Sequence, residues 1–501
     1  MKKAKLLLTL VLIAAMVLAM FAACAKDGGS DRPAGTPDTQ EELATIKMVI
    51  FDFNSSGVDH KDRIQEAINA ISVPAINVQA DILFLNMGDF ASKVQSSIAG
   101  GEQIDLMTAS IMNNASTLYQ AGMLRDITEE LKTYAPGALE VVGDAVKTYT
   151  WDGKIYGLPT QRNLLTCRWI IMNKDVLDEL SLTEQAQNMK TWTEYEQILT
   201  AVKDGKQADG MYPLISNSGA VFQGALFTGD ELTSESYDTL GDRAGIVYAS
   251  QEGKISLLQE TESWIYTAKK AAEWNEKGLI YPDSIINTTL SGNDLLNQGV
   301  DFSLICSSEY GVENSGNYQM PVVAKQISDP ILMTSSLTMW GMAVPVTAEE
   351  PEAACKFLNL MYTSPELMNV MVNGQEGKDY ELVNGEVSPL EKGYRGGNFI
   401  MGNNLLLTPA LGQGADFNET VKAKMAEMKN SRFLGFTIDA SDLNLLIANM
   451  SAVNDQYRSS MTGGDYTDAL YEEYMSKLQA AGAQEYLDAV QTQLDAWLAA
   501  N

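Results

Sequence analysis

The chain has 501 residues, of which 45% are hydrophobic and 20% charged, and it carries a formal net charge of −30. A chain this long outgrows a single hydrophobic core, so two or more domains are expected, and the composition is that of a soluble globular protein. The acidic excess repels nucleic acid and anionic lipid surfaces, which excludes a nucleic-acid partner. Beyond that it reads as a solvated acidic surface and identifies no substrate.

Lys2, Lys3 and Lys5 precede an apolar run from Leu6 to Ala22, and the small residues Ala22 and Ala23 then lead to Cys24. This order predicts an export signal over residues 1–23. The run is short for a membrane-spanning helix, and no later segment is long and apolar enough to be one. The stretch resembles a bacterial lipoprotein signal, in which Cys24 becomes the lipidated first residue, bearing palmitate. Phe21 departs from that pattern. Cleavage removes three basic residues and no acids, so the mature charge is −33. Residues 24–43, with Gly28-Gly29-Ser30, Pro33, Gly35 and Pro37, read as a flexible tether.

Downstream, strands and helices alternate. Thr45 to Phe53 is a strand with Ile46, Met48 and Ile50 on one face, and Asp59 to Ile71 is a helix. Val78 to Leu85 is a strand, Phe90 to Ala99 a helix, Ile104 to Thr108 a strand and Thr117 to Ala121 a helix. This order predicts a largely parallel α/β sheet. Asp152-Gly153 reads as a tight hairpin turn. The segment after it is extended because Leu158 precedes a proline. Trp169 to Met172 is a strand that breaks at Asn173 into a helix. Thr191 or Thr193 caps the helix that follows. Trp264 to Lys277 is a helix ended by Gly278, and Asp301 to Cys306 is a strand. Ser336 to Val346 is expected to be an extended crossing segment. Pro351 starts a helix that Thr363-Ser364-Pro365 interrupts. In the tail, Tyr466, Leu470, Tyr474 and Leu478 form one helical stripe. After Gly482, Tyr486, Val490, Leu494 and Trp497 form another; both read as core packing.

Few residues are available for catalysis. His60 is the one histidine, so Ser-His or Cys-His chemistry would rest on it alone. No HExxH, Walker A or GxSxG pattern is present. A pair of carboxylates, as in a glycosidase, remains open among 65 acids. Cys167, Cys306 and Cys355 lie in apolar runs without metal-ligand spacing. They are expected as buried free thiols, with a Cys167–Cys306 disulfide as the other possibility. Asp52-x-Asn54-x-Ser56-Gly57 copies the first half of a calcium loop, but Arg63 stands where the twelfth-position Glu is needed. The alternative is a strand-to-helix turn. No cofactor and no metal are expected.

Trp151-Asp152-Gly153-Lys154-Ile155-Tyr156-Gly157-Leu158-Pro159 with Asn173-Lys174-Asp175-Val176-Leu177 resembles the core of the family 1 extracellular solute-binding proteins, the ligand receptors of ABC importers. Further stretches are similar to the same family. They are Thr191-Trp192-Thr193-Glu194-Tyr195, Ala343-Val344-Pro345 with Pro351-Glu352-Ala353-Ala354, and Gly374-Gln375-Glu376-Gly377-Lys378-Asp379-Tyr380. Phe433-Leu434-Gly435-Phe436 and the last helix resemble a C-terminal domain of unknown function found in a lipoprotein subgroup.

The resemblance implies an α/β, two-lobed periplasmic-binding-protein-like fold with a hinge and an interlobe cleft. Residues 44–163 with 337–392 would form lobe 1, and residues 164–336 with 393–501 lobe 2. It implies a monomeric, lipid-anchored, non-enzymatic receptor on the extracytoplasmic face of the cell membrane. That receptor would deliver a sugar or oligosaccharide to permease subunits. A peptide or other polar solute, a secreted carbohydrate-active enzyme and a structural surface lipoprotein are the alternatives. Polyhydroxylated ligands need planar polar groups and aromatic faces. Strand-end loops with that mix supply the expected contacts. In lobe 1 these are Asn54 and Ser110; at the crossing, Tyr156, Gln161, Arg162, Asn163 and Thr166; in lobe 2, Asn217, Phe222, Ser307 and Tyr310. Trp340 and Arg395 lie on the return segments.

Overall fold

The computed structural model describes residues 42–215, 219–282 and 291–500. Strand β1 (Ala44–Phe51) is buried on both faces from Met48 onward, as in a parallel strand covered by helices on each side. A short turn joins it to helix α1 (Gly57–Ile76). Asp52 builds that turn: its carboxylate accepts the backbone N–H of Ser56 at 3.2 Å and of Gly57 at 2.7 Å. These are donors that a helix start leaves unpaired. The calcium-like motif is therefore a helix start, with its first carboxylate committed to backbone. A Cβ at residue 57 would overlap the Phe84 ring, so the glycine is sterically required. Helix α1 outruns its expected end at Ile71, carries Pro74 in its last turn and closes on Asn77 at φ 53°.

Strand β2 (Val78–Leu85) pairs in parallel with β1 along its whole length. Helix α2 (Phe90–Ala99) leads to β3 (Leu106–Ala109), parallel to β1 on the other side. Helix α3 (Ala115–Gln120) is capped by Asn114, whose side chain accepts the Thr117 N–H at 2.8 Å. Asp152 and Gly153 have φ of 51° and 71°, and Trp151 pairs with Lys154 around them. That is the expected two-residue turn of the type I′ kind. Strand β4 (Gly157–Pro159) follows.

The chain then enters the second lobe through β5 (Thr166–Asn173). Asn173 caps the helix after it, and Thr191 with Glu194 forms a capping box on α4 (Trp192–Lys206). Strand β6 (Tyr212–Ile215), helix α5 (Glu262–Glu276), and strands β7 (Asp301–Glu309) and β8 (Val322–Gln326) complete this lobe's sheet, in the order β8-β5-β7-β6. One sheet face packs Ile170, Met172, Phe302 and Ile305 against Trp192 and Trp274; the other packs Trp169, Ile171 and Leu304. Cys167, Cys306 and Cys355 are free and buried. Burial pushes the Cys167 thiol up to about 12 and Cys306 to about 11, so neither is a ready nucleophile.

Residues 336–346 are not uniformly extended. Helix α6 (Thr334–Thr338) occupies their start, and β9 (Gly341–Ala343) inserts between β3 and β4, antiparallel to both. The first sheet thus runs β2-β1-β3-β9-β4. Helices α7 (Pro351–Thr363) and α8 (Pro365–Asn373) then cover it, α8 being capped by Ser364. The first core extends past the expected boundary at 392: Tyr394, Ile400 and Met401 pack in it. Tyr394 is held there by Asp379, which accepts its N–H and the paired guanidinium donors of Arg63.

The tail forms α9 (Asn444–Gly463), α10 (Asp468–Ala480) and α11 (Ala483–Ala500). With Trp264 and Phe433 they bury Met450, Tyr474, Leu478, Tyr486, Val490 and Leu494. Tyr466 and Leu470, at the start of the expected stripe, are only half-buried. No helix among the described residues is long and apolar enough to cross a membrane.

Candidate functional site

Three passages of chain link the lobes, and they bind one another. The Thr160 N–H donates to the Trp340 carbonyl at 3.0 Å and its hydroxyl to the Ile400 carbonyl at 3.0 Å. The Gln161 N–H donates to Gly402 at 2.9 Å, and the Gln161 carbonyl accepts from Asn404 at 2.7 Å. This network is the hinge. Arg162 adds a side-chain tie and is only 7% exposed. Its guanidinium donates to Glu309 Oε1 at 2.5 Å, to the Asn163 carbonyl at 3.2 Å and to the Ser336 carbonyl at 3.3 Å. Burial lowers the Arg162 pKa, with Glu309 opposing. Desolvation likewise pushes the Glu309 carboxyl up, with Arg162 opposing. Arg162, expected to reach for ligand, has its fork directed into the hinge.

Asn163, Thr166, Ser307 and Tyr310 come together around the same junction. The Asn163 amide donates to the Tyr310 carbonyl at 2.9 Å and accepts the Leu165 N–H at 3.2 Å. Thr166 and Ser307 are exposed at the ends of β5 and β7. The Tyr310 ring stacks on Phe417 at 6.2 Å and lies 4.9 Å from the Lys424 ammonium.

In the first lobe, Asn54 and Arg395 meet, but through backbone. The Asn54 amide donates to the Arg395 carbonyl at 3.1 Å, and the Arg395 side chain turns back to the Leu390 carbonyl at 3.3 Å. Tyr156 is half-buried between Tyr119 and Trp151, with ring centroids at 4.9 and 5.9 Å.

Three expected contacts are corrected. Ser110 is fully buried, and its hydroxyl accepts the Met112 and Asn113 N–H groups in a turn. Phe222 is a core residue packed edge-on against Trp192 at 5.5 Å. Trp340 is buried against Phe51 and Phe399. Ser110 and Trp340 adjoin strand ends and Phe222 lies seven residues past β6, and all three side chains are buried. Asn217 and Cys24 lie outside the described residues.

Phe53, in the strand-end loop already expected at the cleft, belongs to a wider apolar rim whose other members sequence alone does not single out. Phe53 follows β1, Met87 follows β2, Ile111 follows β3 and Met339 precedes β9. They are 44%, 51%, 57% and 40% exposed, at the edge where the parallel strands of lobe 1 end. The carboxyl ends of such strands are where open α/β sheets bind ligands. The available signal was position: each side chain stands within two residues of a strand end.

A cavity of about 380 Å³ opens between the lobes. Asn114, Thr117 and Gln120 on and beside α3 face it from lobe 1, Arg243 from lobe 2, and Ser335 and Thr338 from α6 where the chain passes between them. Thr437, Ser441 and Asn444 of the C-terminal segment form a further wall, where Arg243 donates to the Asn444 amide oxygen at 2.8 Å. The volume lies in the range of sites that bury a small ligand.

A family profile described as a bacterial extracellular solute-binding protein matches residues 78–376. The chain belongs to this family. A second profile, for a domain of unknown function, matches residues 432–499. A curated relative from Streptococcus pneumoniae, named a carbohydrate ABC transporter substrate-binding protein, is 25% identical over 459 residues, covering 88% of this chain and 89% of the relative. The crystal structure of an N-glycan transport solute-binding protein (NgtS) from Streptococcus pneumoniae superposes with a TM-score of 0.77 at 22% identity, over 91% of this chain and 99% of that one. A substrate-binding protein of the same species (FusA), in complex with kestose, gives 0.61 at 16% identity, over 91% and 100%. The two-lobed solute-binding fold expected from the motifs is the fold observed.

Proposed function

We propose that this protein captures a sugar or oligosaccharide outside the cytoplasm and delivers it to an ABC importer, without altering it chemically. The observation that carries this reading is the interlobe cavity, lined by hydroxyls and amides and walled on one side by α6, whose Ser336 carbonyl Arg162 binds. Such side chains donate and accept at once, which suits a ligand made of hydroxyl groups. Exposed Phe53, Met87, Ile111 and Met339 supply apolar surface for sugar C–H faces. The named relatives, a carbohydrate transporter component and receptors for N-glycan and kestose, support the same class of ligand. The wall at Thr437, Ser441 and Asn444 gives the C-terminal domain of unknown function a share in binding. Lipid on Cys24 would hold the receptor at the membrane, as the order of charged, apolar and small residues over 2–24 supports.

The test is a thermal-shift screen of the mature protein against mono- and oligosaccharides, with mass spectrometry of the recovered ligand. A ligand at a hundred times its Kd stabilises the fold by about 2.7 kcal/mol. A binder recovered unchanged fits the reading. Turnover of the binder, or a shift with peptides and none with sugars, refutes it.

A further inference from the structure

A second arginine, Arg168, sits six positions beyond Arg162 in quite different surroundings. On the paired strands β5 and β7, Arg168 stands opposite Ser307 and Thr166 opposite Glu309, so these four side chains share one face of the sheet. Deeper along that face Ile170 and Ile305 are fully buried under helices. The face is thus apolar where it is covered and polar for its last two registers, where Thr166 and Ser307 are exposed. The half-buried Arg168 guanidinium lies against Gly224: a Cβ there would stand 3.2 Å from its Nη2 and 3.7 Å from the Tyr237 hydroxyl. Gly224 also has φ +74°, so a larger residue is disfavoured twice over.

The guanidinium has no hydrogen-bond acceptor among the described residues; Arg168 is tied only through its backbone, to Ser328 and Ile327. The carboxylates on the same sheet face and beside Tyr237 are engaged elsewhere. Glu309 takes Arg162, and Glu235 takes Tyr248 and Ser263. A half-buried cation that the fold leaves unpaired keeps its donors available for a group that arrives from solvent. Five N–H donors in a planar fork match a planar oxygen acceptor better than they match isolated hydroxyls.

We infer that Arg168, with Ser307 beside it, is a specificity-determining residue that receives a planar oxygen acceptor on the bound sugar, either a carboxylate or an acetamido carbonyl. This rests on the receptor reading above. Calorimetry on the mature protein would compare three trimers: cellotriose with plain hydroxyls, chitotriose with acetamido groups, and an oligoglucuronate with carboxylates. One substituted trimer is expected to bind about tenfold or more tighter than cellotriose, the scale of a charge-assisted hydrogen bond. Arg168→Gln should erase that preference to within about threefold while leaving the cellotriose affinity within about threefold. Its ligand-free melting temperature should stay level or rise, because an unpaired cation is removed. Arg168→Lys should retain part of a preference for the carboxylate but not one for the acetamido group, which separates the two acceptors. Equal wild-type affinity for all three trimers overturns the inference. So does an Arg168→Gln variant that weakens them equally, or one that melts lower without ligand. Binding of none of these or of any other sugar instead overturns the receptor reading.

Discussion

Replacing Arg162 with alanine should damage the hinge before it damages ligand contact. The guanidinium is 7% exposed and joins two of the crossing passages, through the Asn163 and Ser336 carbonyls, to Glu309 on β7. Hydrogen bonds from a charged donor contribute roughly 1.5–3 kcal/mol each when well formed. At 3.2 and 3.3 Å the two carbonyl contacts belong at the lower end. The Glu309 side chain is 41% exposed, so water re-solvates it when its partner leaves, and the pair adds about 1 kcal/mol or less. Arg162→Ala should therefore lower ligand-free stability by roughly 2–4 kcal/mol. Glu309→Gln, which leaves both carbonyl contacts, should lower it by about 1 kcal/mol or less. Urea unfolding of the two single variants and the double variant gives the coupling directly. A melting point unchanged in Arg162→Ala together with lost sugar binding would refute this reasoning and return Arg162 to the ligand.

Asp301 is fully buried with neither carboxylate oxygen partnered among the described residues, and burial pushes its pKa up to about 8. An unfolded carboxyl titrates near 3.9, so between those values the unfolded chain releases a proton that the fold keeps, and stability falls as pH rises. From pH 6 to 8 the wild type should lose roughly 2 kcal/mol relative to Asp301→Asn, read from urea midpoints; parallel slopes would contradict the account. Asp379 is the opposite case. Desolvation would raise its pKa, but the Arg63 fork and the N–H groups of Gln375 and Tyr394 outweigh that and hold it below the usual range. Its contribution is present above the unfolded pKa and lost as pH falls through the folded one. Asp379→Asn should cost the first lobe roughly 3–5 kcal/mol at pH 7 and much less near pH 3, by circular dichroism melts. Cys24→Ala should leave the protein in the medium or as unprocessed precursor; membrane retention of a processed form would argue against the lipid anchor.

Local rules carried much of the fold into view. Thr191 with Glu194, and Asp152 with Gly153, name their own structures because a cap or a tight turn depends on residues three or fewer apart. The strands Val78–Leu85 and Asp301–Cys306 read well because burial there follows apolar runs. Helix α6 was hidden: Thr334-Ser335-Ser336-Leu337-Thr338 has weak helical preference, and tertiary packing decides its state. The site was legible to the level of loops and no further. Arg162 and Arg168 lie in one crossing, and only strand pairing with β7 assigns one guanidinium to Glu309 and leaves the other without an acceptor. Ser110 and Trp340 share one reason: a strand end fixes where a residue stands, and rotation about the chain fixes which way it faces.

The insertion of β9 between β3 and β4 constrains the order in which the chain can become native. Strands β3 and β4 leave the ribosome early, yet neither touches the other; each pairs with residues 341–343. The first lobe cannot close its sheet until roughly two thirds of the polypeptide exists, and its core waits further for Ile400 and Met401. Contacts of such sequence separation form slowly because the loop-closure entropy comes before any reward. Until then the amino-terminal half lacks the sheet and core partners that only the later part of the chain supplies.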